Sequence, residues 1–339
     1  MKKIFIFLSL LLLVCGCGKY SDKDLVKDIN KKIENADAYH MTGTLEIYRN
    51  EEKYTYDVAS SYKKGDLFKV NLINKNNNHE QIILKNSEGV YVITPSLNKS
   101  FKFQSDWPYN NSQIYLLQPI VTDLNNDSSR ILTKEKDGYT LISKVNYSSE
   151  RDFSKQKVYI DKDLNITKVE VLDDKDNIKM TLKVIDIDYK PKFDNNYFDA
   201  STYQKSLEEQ PKEETKEEKN PTDDKTTSKI DDIVYPMYVP IDTQLSAQDV
   251  VETKQGERVI LTFSGESSFT VVQETMSDDL STNYVYGDPY LILDTVGSIT
   301  DYSVSWISNG IEYSVMSDSM EIDELLTVAQ SISVKPVSK

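Results

Sequence analysis

Hydrophobic and polar residues alternate along most of the chain between Tyr39 and Tyr189. This period of two is typical of strands that bury one face and leave the other in water. Polar turns interrupt the alternation at spacings of about ten residues, which favours an antiparallel meander. The predicted strands are 39–48, Tyr54–Tyr62, Leu67–Ile73, Gln81–Lys85, Val90–Thr94, Lys99–Phe103, Arg130–Lys134, Tyr139–Tyr147, Phe153–Ile160, Ile166–Leu172 and Ile178–Tyr189.

Two segments follow the spacing of three and four residues that is typical of a helix. In the first, Ser21 is a suitable N-cap for a helix that runs to about Asn35. The second helix is predicted over Ser112–Leu124, where Pro119 should introduce a kink. The region 20–200 is therefore predicted to form one domain in the order helix, meander, helix, meander.

The alternation stops at 205–229, which reads KSLEEQPKEETKEEKNPTDDKTTSK. Leu207 is the single apolar residue of this segment, so it cannot bury enough surface to offset the entropy of ordering. We therefore predict a disordered acidic linker between two domains. A solvated helix over Glu208–Lys219 is the alternative, because Glu and Lys recur there at helical spacing.

A second domain, small and of the α+β class, is predicted over 230–335. Its start, Ile233–Leu245, is apolar but contains Pro236 and Pro240, which favours an extended chain. Asn309-Gly310 is the dipeptide that most favours a tight hairpin turn. The predicted strands are Arg258–Phe263, Ser268–Glu274, Tyr290–Val296, Ile299–Ser308 and Ile311–Met316, and a helix closes the domain over 323–332.

The segment Met1–Cys17, MKKIFIFLSLLLLVCGC, has the three parts of a secretory signal. Lys2 and Lys3 precede an apolar run from Ile4 to Val14, and small residues follow that run. The run is shorter than the roughly 20 apolar residues that a membrane-spanning helix needs. We therefore predict that this segment directs export and is not itself the anchor.

The last four residues of this segment, Val14–Cys17, resemble the lipobox of bacterial lipoproteins. In that family a small residue precedes the modified cysteine, and Gly16 before Cys17 fits this rule. The resemblance implies a lipidated Cys17 at the outer face of the plasma membrane. Two or three acyl chains such as palmitate anchor a protein stably, whereas one does not. A plain secreted protein with a chance cysteine is the alternative.

Composition narrows the possible partners and chemistry. The formal net charge is −15, and no segment offers the basic face that a nucleic-acid partner needs. Cys15 and Cys17 are the only cysteines, and both are predicted to be removed or acylated. This excludes a cysteine nucleophile and a cysteine-based zinc site in the mature chain. We expect no cofactor.

The segment Val158–Asp173, the hairpin after it and Phe198-Asp199 resemble the end of LolA/RseB-type domains, the outer-membrane lipoprotein carrier family. The order of elements over 20–200 is also similar. The resemblance implies an α+β fold, with a strongly curved antiparallel half-barrel sheet and helices on its concave face. It also implies a hydrophobic cavity, in which the carrier holds acyl chains. A protein that is itself anchored cannot act as a free shuttle.

Residues of the second domain resemble a small domain of unknown function at the C-terminus of some Gram-positive lipoproteins and anti-sigma-linked proteins. The pairing of the two domains resembles sporulation- and germination-associated lipoproteins of endospore formers, one of which acts with a cortex-modifying amidase. This implies a role in sporulation or spore germination. The residues that carry the resemblance are Trp306, Gly310, Ile311, Tyr313, Leu325, Ala329 and Ile332.

Candidate catalytic residues are few. His40 and His79 are the only histidines, and we interpret both as surface residues. Asp161-x-Asp163-x-Asn165 begins like a calcium loop, but Ile166 and Leu172 replace the Gly and Glu that an EF-hand requires. A hairpin turn is therefore favoured. No spacing singles out a pair of carboxylates for glycoside chemistry, and we predict a non-enzymatic protein.

Eight apolar residues of the first domain have two interpretations. They either form an ordinary core or line a cavity for an acyl chain or a lipidated peptide, which would be concave and have few polar groups. A core favours an envelope lipoprotein that binds a protein partner, and a cavity favours a carrier or sensor of acyl chains or lipidated proteins. The eight are Leu45, Ile47, Phe68, Val70, Leu72, Phe101, Phe103 and Trp107.

Overall fold

The computed structural model describes most of the chain outside its termini. The predicted signal segment with Cys17 lies outside the described residues, and so does the predicted linker except for Lys229. Among the helices that are described, none is long and apolar enough to cross a membrane. The described residues are 20–49, 52–147, 152–203, 229–253, 256–276 and 282–332.

Strands dominate the described part of the chain. The helices are α1 (Asp22–Glu34), α2 (Leu117–Asn126) and α3 (Ile322–Gln330). The strands are β1 (Ala38–Arg49), β2 (Glu52–Lys63), β3 (Leu67–Asn74), β4 (Glu80–Asn86), β5 (Gly89–Thr94), β6 (Lys99–Gln104), β7 (Ile131–Glu135), β8 (Gly138–Lys144), β9 (Lys155–Asp161), β10 (Ile166–Leu172), β11 (Ile178–Asp188), β12 (Thr243–Thr253), β13 (Gly256–Gly265), β14 (Phe269–Thr275), β15 (Thr282–Tyr286), β16 (Asp288–Ile292), β17 (Thr295–Ile299), β18 (Ser303–Ser308) and β19 (Ile311–Met316).

Two sheets account for all of these strands. The first has twelve strands in the order β15-β6-β5-β4-β3-β2-β1-β11-β10-β9-β8-β7, and the second has seven in the order β12-β13-β14-β19-β18-β17-β16. Neighbouring strands are antiparallel except β15, which runs parallel to β6. The prediction of antiparallel sheets accompanied by a few helices is confirmed.

Helix α1 begins where the sequence predicts, because its first turn is capped reciprocally. The Ser21 hydroxyl accepts a hydrogen bond from the Asp24 amide at 3.2 Å, and the Asp24 carboxylate accepts one from the Ser21 amide at 3.3 Å. These two bonds satisfy donors that a helix start otherwise leaves without partners. The residues that the helix buries in the core of the first sheet are Leu25, Val26, Ile29 and Ile33.

Helix α2 begins at Leu117, so the predicted start at Ser112 is wrong. The Ser112 amide instead donates to the Asn146 carbonyl at 2.8 Å, and the Ser112 hydroxyl accepts from the Asn146 amide at 2.7 Å. Pro119 consequently lies in the first turn of α2. The amide that proline lacks would have no helical partner in that turn, so the kink expected at Pro119 is not required.

Two hairpin turns of the first sheet share one geometry. Asp161 accepts hydrogen bonds from the Asn165 amide at 2.8 Å and the Asn165 side chain at 2.9 Å, and Asp173 accepts the same pair from Asn177. The bond from the Asn177 side chain is the main reason that the pKa of Asp173 falls to about 2. Lys32 Nζ donates to Asn165 Oδ1 at 2.5 Å. The Asp161 segment is the hairpin turn that the sequence predicts.

The second sheet differs from the prediction at two hairpins. Strand β17 ends at Ile299 and β18 starts at Ser303, so the single strand predicted over Ile299–Ser308 is wrong. Strand β16 ends at Ile292 and β17 starts at Thr295, so the single strand predicted over Tyr290–Val296 is also wrong. Leu293 in the turn has a φ of 51°, in the left-handed region. A leucine in that conformation carries none of the turn signals that Gly or Asn would provide.

Strands β12 and β15 have no counterpart in the prediction. The sequence of β12, TQLSAQDVVET, lacks an alternating apolar pattern, and the structure exposes this strand on both faces. Strand β15 follows β14 in the chain but pairs with β6, with Thr282 beside Ser100 and Tyr286 beside Gln104. The C-terminal half of the chain thus supplies an edge strand to the sheet of the N-terminal half.

Candidate binding surfaces

The eight apolar residues singled out in the sequence lie in one hydrophobic cluster with the buried faces of α1 and α2. Seven are buried, and the partly buried Phe101 packs against them. Within the cluster the rings of Phe68 and Trp107 meet edge to face, with centroids 6.1 Å apart. The structure therefore brings all eight together, and it surrounds them with side chains from both helices.

A cavity of about 50 Å³ lies where the two sheets meet. Of the eight predicted residues only Ile47 lines it, together with residues such as Phe153 and Met180 from the first sheet and Tyr290 and Leu291 from the second. Ligand pockets for drug-sized molecules are typically about 300–1,000 Å³. This cavity is too small for an acyl chain.

The Gln81 side chain joins the two sheets, because it makes the hydrogen bonds to the Val296 backbone that a neighbouring strand would otherwise make. Its side-chain oxygen accepts from the Val296 amide at 2.5 Å, and its side-chain nitrogen donates to the Val296 carbonyl at 3.3 Å. The Gln81 side-chain oxygen also accepts from the Thr295 hydroxyl, and the side-chain nitrogen donates to the Thr94 hydroxyl, each at 3.2 Å. Because Gln81 is buried, these bonds satisfy backbone groups that water does not reach.

Two further contacts hold the sheets together. The Tyr56 hydroxyl of β2 donates to the Leu293 carbonyl at 3.1 Å, in the turn between β16 and β17. The Arg49 guanidinium donates to the Tyr290 hydroxyl at 2.8 Å and lies 5.6 Å from the centre of that ring. The junction therefore combines buried polar contacts with the parallel pairing of β15 and β6.

Residues 197–203, which lead towards the predicted linker, contact the first sheet through Lys69 of β3 and through the strands β4 and β5. Lys69 Nζ lies 4.2 Å from the ring centre of Tyr197 and 4.5 Å from that of Tyr203, and it also bonds the Tyr203 hydroxyl. Burial lowers the pKa of Lys69. Tyr203 and Ala200 pack on a small separate core formed by β4 and β5.

The two histidines are each bonded to a serine. His40 Nδ1 lies 2.9 Å from Ser61 Oγ, and His79 Nδ1 lies 3.2 Å from Ser96 Oγ. Ser61 is buried and also bonds the Tyr197 hydroxyl at 2.9 Å, so it links strands and is not exposed to a substrate. Burial lowers the pKa of His79. In the part of the chain that the structure describes, no group of three or more His, Cys, Asp and Glu residues could hold a metal ion.

Large apolar side chains are exposed along 235–251, in the loop before β12 and in β12 itself, and we call this stretch the exposed apolar segment. Met237 and Ile241 are 84% and 87% exposed. Grouped exposed apolar residues mark interaction sites, whereas isolated ones carry no meaning. The segment consists of Tyr235, Met237, Tyr238, Ile241, Leu245, Val250 and Val251.

The sequence contained a signal for this surface that the prediction did not use. Pro236 and Pro240 interrupt the apolar residues that precede β12. Proline cannot donate to a strand ladder, so apolar residues between prolines are poorly placed to be buried within a sheet. Met237 and Tyr238, which lie between the two prolines, are exposed, whereas Val239 packs against the core of the second sheet.

These features define an α+β protein of two sheets, with a filled hydrophobic core in the first and an uncovered apolar surface beside the edge of the second. Sporulation protein YdcC of Bacillus subtilis (strain 168) is 31% identical to the chain over 331 residues, which are 95% of this chain and 93% of that protein. The chain belongs to the family of this sporulation protein. No protein-family model matches it.

Solved structures also resemble the chain, at low identity. The MucA/MucB complex of Pseudomonas aeruginosa matches with 13% identity over 93% of this chain and 100% of that one, with a TM-score of 0.34. A lipoprotein-sorting domain from Vibrio parahaemolyticus matches with 13% identity, 53% and 97% coverage and a TM-score of 0.32. A chain from the Clostridioides difficile CwlD amidase–GerS lipoprotein complex matches with 20% identity, 51% and 98% coverage and a TM-score of 0.31. The fold described above rests on strand pairing and not on these likenesses.

Proposed function

We propose that this protein is an envelope lipoprotein that binds a protein partner during sporulation or spore germination. Its membership of the YdcC family supports the connection with sporulation. The observation that carries the binding role is the exposed apolar segment, because apolar surface that is exposed to water is commonly buried in a complex with a partner. Catalysis forms no part of the proposal, and turnover of peptidoglycan by the purified protein would contradict it.

In this proposal the first sheet curves as a half-barrel and α1 and α2 fill its concave face. The shared cluster of helix and strand residues supports this arrangement. The alternative function, a carrier or sensor of acyl chains, needs space between the sheet and the helices. Seven of the eight predicted residues are buried in one cluster with the two helices, which favours the partner-binding function over the carrier.

The partner-binding role is tested by changing the exposed apolar segment. We expect Met237→Ser combined with Ile241→Ser to reduce photo-crosslinking of the membrane-bound protein to its partner in sporulating cells by about tenfold, because central apolar anchors dominate most interfaces. Ile185→Ser is the matched control, since Ile185 is 73% exposed but lies on the first sheet. Equal crosslinking by the double variant and the wild type would refute the role of this segment.

The anchor is tested at the proposed modification site. We expect Cys17→Ala to move the protein from the membrane fraction to the culture medium, because the variant lacks the sulfur that would carry the acyl chains. Cys15→Ala is the control and should remain membrane-bound, since Cys15 leaves with the signal segment. Immunoblotting of cell fractions measures both variants. Retention of Cys17→Ala on the membrane would show that Cys17 is not the anchor.

A further inference from the structure

Strand β12 differs from the other strands at the edges of the two sheets. The other three, β7, β15 and β16, are five residues long. Lys134 lies in β7 and Pro289 lies in β16, and both residue types discourage pairing with a further strand. Strand β12 has 11 residues, about twice the usual length, and contains neither lysine nor proline. Its edge is protected only by an irregularity of the ladder between Leu245 and Ala247 and by the acidic residues Asp249 and Glu252.

The outer edge of β12 can accept backbone hydrogen bonds over the regular stretch from Ala247 to Glu252. Its inner edge pairs with β13 from Thr243–Gly265 to Thr253–Gly256. In the part of the chain that the structure describes, no strand pairs with the outer edge. Successive residues of an antiparallel strand direct their amide and carbonyl groups to opposite edges, so about half of these groups face outwards. A second strand would satisfy them.

The side chains of β12 indicate the chemistry of that strand. Leu245 and Val250 lie opposite the buried Phe263 and Val259, so they extend the apolar face of the core beyond the last covered strand. The two charged side chains, Asp249 and Glu252, are acidic and exposed. Residues two apart in a strand share a face, so Glu252 lies on the face of Val250 and Asp249 on that of Val251. Each face of β12 therefore offers an apolar contact and a negative charge for a basic neighbour.

We propose that β12 binds an extended segment of a partner protein as an added strand, and that this segment combines apolar and basic side chains. The proposal rests on the partner-binding function proposed above and specifies where and how the partner binds. A second copy of this chain is a poorer occupant, because it would bring Asp249 and Glu252 close to their own counterparts in a chain of net charge −15. Backbone pairing supplies affinity in such complexes, and the alternating side chains supply specificity.

The probes are synthetic nine-residue peptides added to the purified protein. One alternates lysine and valine, a second alternates glutamate and valine, and a third is the lysine peptide with every amide N-methylated. Fluorescence anisotropy should show that the lysine peptide binds at least about tenfold more tightly than either of the others, since only it has both the complementary charge and the backbone donors. Equal binding of the N-methylated peptide would overturn strand addition.

Hydrogen exchange locates the bound peptide. We expect protection at alternate amides within 243–253 and no change within 131–135, which serves as an internal control because β7 is also an edge strand. The variant Asp249→Lys with Glu252→Lys should reverse the preference, so that the glutamate peptide binds more tightly. Both substitutions are on exposed positions and leave the core unchanged.

Three further results would overturn the proposal. They are protection outside β12, an unchanged preference in the charge-reversed variant, and a dimer in light scattering that the lysine peptide dissociates. Such a dimer would show that the outer edge of β12 pairs with a second copy of this chain. If the lysine peptide does not bind preferentially while Met237→Ser with Ile241→Ser still reduces crosslinking in cells about tenfold, the partner-binding function stands and strand addition at β12 is wrong.

Discussion

Replacing Phe68 with alanine is expected to lower the free energy of unfolding by about 3–5 kcal/mol. Phe68 is completely buried, and its ring meets those of Tyr62, Tyr109 and Trp107 at centroid distances of 5.1, 5.9 and 6.1 Å. The substitution removes this packing and leaves a void that the sheet and helices cannot fill completely. Urea denaturation followed by Trp107 fluorescence, in a Trp306→Phe background, measures the loss in the first sheet.

The same measurement separates the two interpretations of the eight apolar residues. Ile185→Ala is the control, and it should change the free energy of unfolding by less than about 0.5 kcal/mol because this side chain is 73% exposed. A side chain that lined an open cavity would lose few contacts when shortened. A loss below about 1 kcal/mol for Phe68→Ala would therefore contradict a filled core and restore the carrier function.

Replacing Gln81 with leucine is expected to cost about 2–6 kcal/mol of stability at the junction between the sheets. Leucine has a similar size but leaves the amide and carbonyl of Val296 without partners, and each buried unsatisfied group costs about 1–3 kcal/mol. Val296 is 6% exposed, so water cannot easily replace the lost bonds. Hydrogen exchange at the Val296 amide, together with urea denaturation, measures the effect.

The control for this variant is Gln244→Leu, which changes an exposed glutamine of β12 that is not part of the junction. Exchange at Val296 should be unaffected by that substitution. Unchanged protection of Val296 in Gln81→Leu would show that the pairing across the junction does not depend on this side chain, and that β15 and the core contacts alone hold the two sheets together.

Local chemistry was sufficient to predict several elements. The capping box of α1 and the turn from Asp161 to Asn165 involve atoms three or four residues apart. The alternation in β1 predicted which side chains are buried, since Met41, Leu45 and Ile47 all lie in the core. Local chemistry failed at Pro119, because the partner of Ser112 that displaces the helix start is Asn146, 34 residues further along the chain and just after β8.

The sequence by itself determined the strand period, the capped start of α1 and most of the turns, because these depend on neighbours a few residues away. Only the tertiary structure decided that β15 belongs to the first sheet, that the eight apolar residues share one cluster with α1 and α2, and that β12 remains an open edge. Gln81 illustrates the reason, because its side chain bonds the backbone of Val296, which lies 215 residues away in the sequence. No local pattern encodes such a contact, because its free energy depends on burial that exists only after both sheets have formed.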